Sequence, residues 1–150
     1  MRFIFRFTTV LLSVFILFSA SSLAGETKGK LQGKWVGPEV GADAGEWTFA
    51  FADSILTATG PNPGEYYKGR ITYIDDEKFN KIEVTFTDAS EPAAVGMMTT
   101  VIYKIEKNKM TFVAGDPEYG TVPASFEKKW DVRFFKLEKV VKKKKAKKKK

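Results

Sequence analysis

The chain has 150 residues, a formal net charge of +7, and neither cysteine nor histidine. Without cysteine there are no disulfides and no thiolate chemistry, and without histidine the Ser-His-Asp and Cys-His catalytic systems and histidine-ligated zinc are excluded. Eight of the 25 basic residues lie in the last nine positions and two in the first six, so 15 remain against 18 acidic residues. The body of the chain is therefore slightly acidic, which argues against a nucleic-acid-binding domain that reads sequence.

Residues 1–24 are typical of a secretory signal peptide. Two arginines open the segment, an apolar stretch runs from Phe7 to Phe18, and small residues in an A-x-A-like pattern end at Ala24. We expect cleavage before Gly25, export to the periplasm, the cell envelope or the medium, and no transmembrane segment after cleavage. The alternative is an uncleaved anchor helix, for which this apolar stretch is barely long enough.

A polar lead-in at residues 25–30 is followed by short segments in which apolar and polar residues alternate. Alternation with a period of two is typical of strands that bury one face. We expect tight turns at Asp53 and at Lys107-Asn108, and the longest irregular stretch is GDPEYGTVPASFEK. The predicted strands, in chain order, lie in GKWVG, EWTFAF, SILTATG, YYKGRITYI, KIEVTFT, MMTTVIYKIEK, KMTFVAG and KWDVRFFKLEK.

These eight strands predict an all-β domain at residues 31–139, folded as an eight-stranded antiparallel up-and-down barrel. Short sequential connections favour pairing between sequence neighbours, and closure removes exposed sheet edges. The interior of such a barrel is either filled by side chains or holds one small ligand. The candidates for lining a ligand pocket are Trp47, Phe49, Tyr67, Tyr73, Phe86, Tyr103 and Phe112.

Gly33 and Trp35 form a Gly-x-Trp at the first predicted strand. This motif at the start of an eight-stranded barrel resembles the lipocalin (calycin) signature. The resemblance implies that the Trp is a structural plug at one end of the barrel and that a basic residue of the last strand packs over it. Arg133 is the candidate for that residue, with Lys136 and Lys139 behind it.

A closer resemblance is to a lipocalin-like domain family of exported bacterial proteins that is abundant in planctomycetes. It implies the barrel fold and an exported location, and no known chemistry. The chain departs from the pattern at Val101, where the family has glycine, and in its lysine tail. The matching residues are Leu31-Gly33-Trp35, Tyr73 to Asp76, Lys81-Ile82-Val84-Thr85, Val101 to Glu106, Pro123 with Phe126, and Phe135 to Lys139.

Carboxylates are adjacent at Asp75, Asp76 and Glu77, but they lack the alternating spacing and the glycine of a calcium loop. We interpret them as a solvated turn and expect no metal and no cofactor. Since the side chains that most often carry acid–base and nucleophilic chemistry are absent, we also expect no enzymatic activity.

Residues 140–150 form a lysine-rich tail that is predicted to be disordered, because like charges at this density repel each other. The tail is a candidate for binding anionic surfaces or polymers, and the alternative is a solubilising end without a dedicated partner. The candidate polyanion-binding residues are Lys142, Lys143, Lys144, Lys145, Lys147, Lys148, Lys149 and Lys150.

Together these patterns predict an exported lipocalin-like binding module whose ligand is a small apolar or amphipathic molecule. The alternative is a structural or adhesive envelope protein with a filled barrel that its lysine tail holds to anionic surfaces. An open cavity inside the barrel would favour the first function over the second.

Overall fold

The structure is a computed structural model that describes residues 28–141. The predicted signal peptide, the first half of the lead-in (residues 25–27) and the eight lysines of the tail lie outside these residues. Within the described part of the chain, no helix is both long enough and apolar enough to cross a membrane.

The predicted barrel is confirmed: eight strands close into one antiparallel sheet in which each strand pairs with its sequence neighbours. The ring closes where the last strand pairs with the first. The strands are β1 (Gly33–Pro38), β2 (Glu46–Ala52), β3 (Ile55–Thr59), β4 (Tyr66–Ile74), β5 (Asn80–Ala89), β6 (Met98–Glu106), β7 (Lys109–Gly115) and β8 (Val132–Lys139).

Residue alternation determines which side chains point inward. In β2, Trp47, Phe49 and Phe51 are buried, and the residues between them are partly exposed. β5 follows the same rule with Ile82 and Val84 inward. Because successive side chains of a strand point to opposite faces, the inward set of every strand contributes to one apolar core.

The closure between β1 and β8 depends on a glycine. A Cβ atom at Gly37 would lie only 2.0 Å from the carbonyl oxygen of Lys136, so only glycine allows the two backbones to approach this closely. The direct pairing of the two strands is short, with Trp35 opposite Lys139 and Val36 opposite Glu138.

The connections differ sharply between the two ends of the barrel. At one end, called the closed end below, the strands are joined at residues 53–54, 75–79 and 107–108, and a helical turn at residues 28–31 precedes β1. At the other, called the open end, the connections are longer. They comprise residues 39–45, 60–65, 90–97 and 116–131, and the third contains a short 3₁₀ helix, Pro92–Ala94.

Candidate functional site

Trp35 plugs the closed end of the barrel. Its side chain is fully buried, and its indole Nε1 donates a hydrogen bond to the backbone oxygen of Leu31 at 2.8 Å. Leu31 ends the helical turn and is itself fully buried. The turn thus covers the barrel bottom with one apolar side chain and fixes the indole through one backbone carbonyl.

The glycine of the Gly-x-Trp motif has a steric role at this end. Gly33 has a φ of 111°, a conformation that other residues rarely adopt. A Cβ there would also lie 3.3 Å from the Cε atom of Lys139. Gly33 therefore makes room for the lysine that crosses above the tryptophan.

The expectation that Arg133 packs over Trp35 is wrong. The residue over the indole is Lys139, whose Nζ lies 5.0 Å from the ring centroid and donates a hydrogen bond to the backbone oxygen of Lys30 at 3.0 Å. The register explains the difference, because β8 places Lys139 opposite Trp35. Arg133 is six residues earlier in that strand, which is about 20 Å away at about 3.3 Å per residue.

The middle of the barrel is filled by aromatic rings that touch across its interior. Phe49 lies 5.1 Å from Phe112 and 5.0 Å from Phe135, measured between ring centroids, and the last two are 6.0 Å apart. All three side chains are buried. This layer separates the plug from the open end, so the interior is not one continuous cavity.

Above the aromatic layer, the open end contains a cavity of about 290 Å³. Its floor and walls are mainly apolar, and its rim is built by the loops 90–97 and 116–131 together with Arg133. The strand residues that line it are Trp47, Phe49, Leu56, Ala58, Tyr67, Val84, Phe86, Thr99, Val101, Phe112, Ala114, Gly115, Arg133 and Phe135. The loop residues that line it are Glu91, Ala93, Ala94, Met97, Asp116, Pro117 and Glu118.

Aromatic side chains form a continuous wall of this cavity. Trp47 stacks on Tyr67 with ring centroids 6.3 Å apart, and Tyr67 contacts Phe86 at 5.5 Å. Tyr67 and Phe86 are half-buried, because they face the cavity rather than a filled core. The wall offers large π-faces to a bound molecule without requiring the barrel to open.

Arg133 lies at the open end, where it packs on a different tryptophan from the one expected. Its guanidinium carbon is 4.5 Å from the ring centroid of Trp47 and 5.3 Å from that of Phe135. Its Nε and Nη2 donate hydrogen bonds to the two carboxylate oxygens of Glu39, at 3.1 and 2.6 Å. Glu39 is largely buried, so this bidentate ion pair fixes the guanidinium next to the indole.

Comparisons of the chain with protein-family models, with curated proteins and with solved structures found no match. The candidate site therefore rests on its geometry.

Of the seven aromatic residues predicted to line a pocket, five do so and two do not. Tyr73 and Tyr103 lie at the closed end, on the other side of the aromatic layer. Both residues are near the strand ends that lead into the short turns of the closed end, and this position places them away from the cavity. The five that line the cavity are Trp47, Phe49, Tyr67, Phe86 and Phe112.

Tyr73 and Tyr103 belong to the plug. Lys28 places its Nζ 4.9 Å from the Tyr73 ring centroid, and the Gln32 side-chain amide lies 3.5 Å from the Tyr73 hydroxyl. Burial raises the pKa of Tyr73 above its usual value. Burial, with a smaller contribution from Tyr73, raises the pKa of Tyr103 to about 12.

Asp76, one of the three adjacent carboxylates, organises its own turn. Its Oδ1 accepts hydrogen bonds from the backbone nitrogens of Lys78 and Phe79, and its Oδ2 pairs with the Lys81 ammonium. These bonds, the one from Lys81 first, hold the pKa of Asp76 at about 2. Within residues 28–141, no group of three or more acidic side chains is placed to hold a metal ion.

Sequence reasoning missed Glu39 and the rim residues of loops 90–97 and 116–131. Glu39 lies 94 positions from the arginine it pairs with, so no local pattern connects them. The loops carry no period of two. The length of these two connections could have indicated the site, because long loops at one end of a barrel often form a binding site.

Proposed function

We propose that this protein is an exported binding module of the lipocalin-like type, which holds a small apolar or amphipathic molecule in its open-end cavity. The observation that supports the proposal is the 290 Å³ space above the aromatic layer, enclosed by Trp47, Tyr67 and Phe86 and rimmed by two loops. Concave, mainly apolar sites with a few polar groups at the rim are the usual form of small-molecule sites.

The volume limits the ligand to a small one. It lies near the lower end of the ~300–1,000 Å³ range of ligand pockets. It is about twice the ~150 Å³ of an engineered apolar cavity that accepts benzene. A single ring with a short substituent, or a short alkyl chain, matches this space, whereas the contacts of Phe49, Phe112 and Phe135 stop a long chain from entering further.

The structural alternative, a filled barrel, is favoured only for the closed half. There the side chains of Leu31, Trp35 and Met110 are fully buried. At the open end Tyr67 and Phe86 pack against the core with part of each ring and remain half-buried beside the unfilled space. A bound ligand would cover the exposed parts of these two rings, whereas a purely structural protein would leave them uncovered.

Attachment to an anionic surface through the lysine tail is compatible with this function. Val140 donates its backbone N–H to the oxygen of Lys34 at 2.8 Å, so the chain leaves β8 at the closed end. Lys28 lies at the same end, with its Nζ 4.9 Å from the Tyr73 ring centroid. A protein held by its tail would thus present the cavity away from the surface.

Binding of toluene, a neutral single-ring probe, tests the proposed function. Ala58 lines the cavity, and Ala50 faces outward on the neighbouring strand. We expect wild-type protein and Ala50→Phe to bind toluene saturably by NMR titration, and Ala58→Phe to lose binding, because its ring fills the space. Absence of saturable binding in wild type, or equal binding by the two variants, would leave the structural alternative.

A further inference from the structure

The open end of the barrel is strongly acidic. Its four loops contain eight acidic and two basic residues, although the whole described domain is close to neutral. Such an imbalance around a concave mouth attracts cations and repels anions before any contact is made. The acidic residues of these loops are Glu39, Asp43, Glu65, Glu91, Asp116, Glu118, Glu127 and Asp131, and the basic ones are Lys128 and Lys129.

Three of these carboxylates line the cavity itself: Glu91, Asp116 and Glu118. Asp116 accepts a hydrogen bond from the backbone nitrogen of Glu118 at 2.8 Å, which fixes the loop that carries both. The ion pairs between side chains of residues 28–141 join Lys81 to Asp76, Lys109 to Glu138 and Arg133 to Glu39. The last of these neutralises Glu39, and none of them involves the three carboxylates that line the cavity.

The one basic side chain in the cavity lining does not offset this charge. Arg133 is bound through two hydrogen bonds to Glu39, and its guanidinium carbon lies 4.5 Å from the Trp47 ring centroid. The opposite charge of Glu39 offsets that of Arg133, so the pair adds no net positive charge to the cavity. The cavity therefore combines partly exposed Tyr67 and Phe86 rings, which attract cations, with a rim of carboxylates that form no side-chain ion pair.

We propose that the open-end cavity selects amphipathic cations, namely a single ring or a short alkyl chain that carries an ammonium group, over carboxylates of the same size. The apolar body lies against Trp47, Tyr67 and Phe86, and the ammonium lies at the rim beside Glu91 and Glu118. This inference rests on the proposed function, because it assigns the ligand class of the same cavity.

Three probes of matched size and different charge test the selectivity: 2-phenylethylammonium, 2-phenylethanol and 3-phenylpropanoate. We expect calorimetric titration at low salt to show the ammonium binding about ten-fold more tightly than the alcohol, or about 1.4 kcal/mol. The carboxylate should bind most weakly. Raising the salt concentration should reduce the preference, since mobile ions screen charges at an exposed rim.

Isosteric substitutions locate the source of the preference. Glu91→Gln combined with Glu118→Gln should reduce ammonium binding to the level of the alcohol and leave alcohol binding unchanged. Asp43→Asn is the matched control, because this substitution removes a negative charge from the same end of the barrel at a residue that does not line the cavity. Glu39→Gln should raise carboxylate affinity several-fold, since it releases the Arg133 guanidinium from its partner.

The outcomes separate this inference from the function on which it rests. If the alcohol or the carboxylate binds as well as the ammonium, or if the Glu91→Gln, Glu118→Gln double variant keeps the preference, the cavity binds ligands but the charge selectivity is wrong. If none of the three probes and no toluene binds to the folded protein, the proposed binding function fails as well. Thermal unfolding of each variant verifies that it is folded.

Discussion

The two ends of this barrel are built from the same eight strands, but they differ in how completely their side chains are buried and hydrogen-bonded. At the closed end, Trp35 and Lys139 donate hydrogen bonds to backbone oxygens, and the Leu31 side chain is fully buried. At the open end, Tyr67 and Phe86 stay half-buried, and the Arg133–Glu39 ion pair lies beside the cavity. We therefore expect substitutions in the plug to lower the stability of the barrel more than substitutions at the open end, which keeps an unfilled aromatic cavity.

The largest expected effect is at the plug. Trp35→Ala should lower the free energy of unfolding by about 3–5 kcal/mol, because it empties a fully buried site and removes the bond to Leu31. Trp130→Ala is the control, since Trp130 is 85% exposed in an open-end loop and its removal should change little. Urea unfolding measures both. A loss below about 1 kcal/mol for Trp35→Ala would show that the plug does not stabilise the barrel.

A smaller effect is expected at the glycine beside the plug. Gly33→Ala should cost about 1–3 kcal/mol, because the backbone there has a φ of 111° and Lys139 approaches the missing Cβ. Gly29→Ala, in the preceding helical turn, has open space around it and should be neutral or slightly stabilising. Equal stability of the two variants in urea would contradict the role assigned to Gly33.

Alkaline pH should weaken the closed end through Tyr103. Its folded pKa of about 12 lies above the usual value of 10, so the unfolded chain loses the proton first as the pH rises. The contribution of the neutral hydroxyl is therefore complete below about pH 10 and declines between about pH 10 and 12. Urea unfolding at several pH values should show a smaller decline for Tyr103→Phe than for wild type. The same decline in both proteins would exclude Tyr103 as its source.

Removing the lysine tail, residues 142–150, should have the smallest effect on stability. β8 ends at Lys139, and the Val140 bond to Lys34 stays in the shortened chain, so the unfolding midpoint should not change. Binding to anionic liposomes should be lost, since each lysine near such a surface contributes about 1 kcal/mol. If the shortened chain binds liposomes as well as the full chain, the folded domain and not the tail binds the anionic surface.

Much of the barrel could be predicted from the sequence because strand alternation is local. The period of two in EWTFAF and KIEVTFT identifies both the strands and their inward faces. The two-residue connection at Lys107-Asn108 was likewise visible, and Lys107 has a φ of 58° there. Sequential pairing then leaves few alternatives to an up-and-down arrangement.

The site was harder to predict because it depends on pairing over long distances along the chain. The pairing of β1 with β8 decides that Lys139, and not Arg133, covers Trp35, and nothing local fixes this register. The Glu39–Arg133 ion pair joins two residues far apart in sequence. Alternation also could not show that Phe49 and Phe112 meet across the barrel and divide its interior.

Xenon binding followed by NMR of methyl groups tests most directly whether the apolar cavity of the barrel interior is confined to the open end. Xenon enters apolar cavities without needing a polar partner. We expect pressure-dependent shifts of the Ala58, Val101 and Ala114 methyls, which line the cavity, and none for the methyls of Leu31 and Ile82, which are fully buried in the packed half. Shifts confined to the plug, or no shifts at any interior methyl, would contradict the division of the barrel into a filled end and an open one.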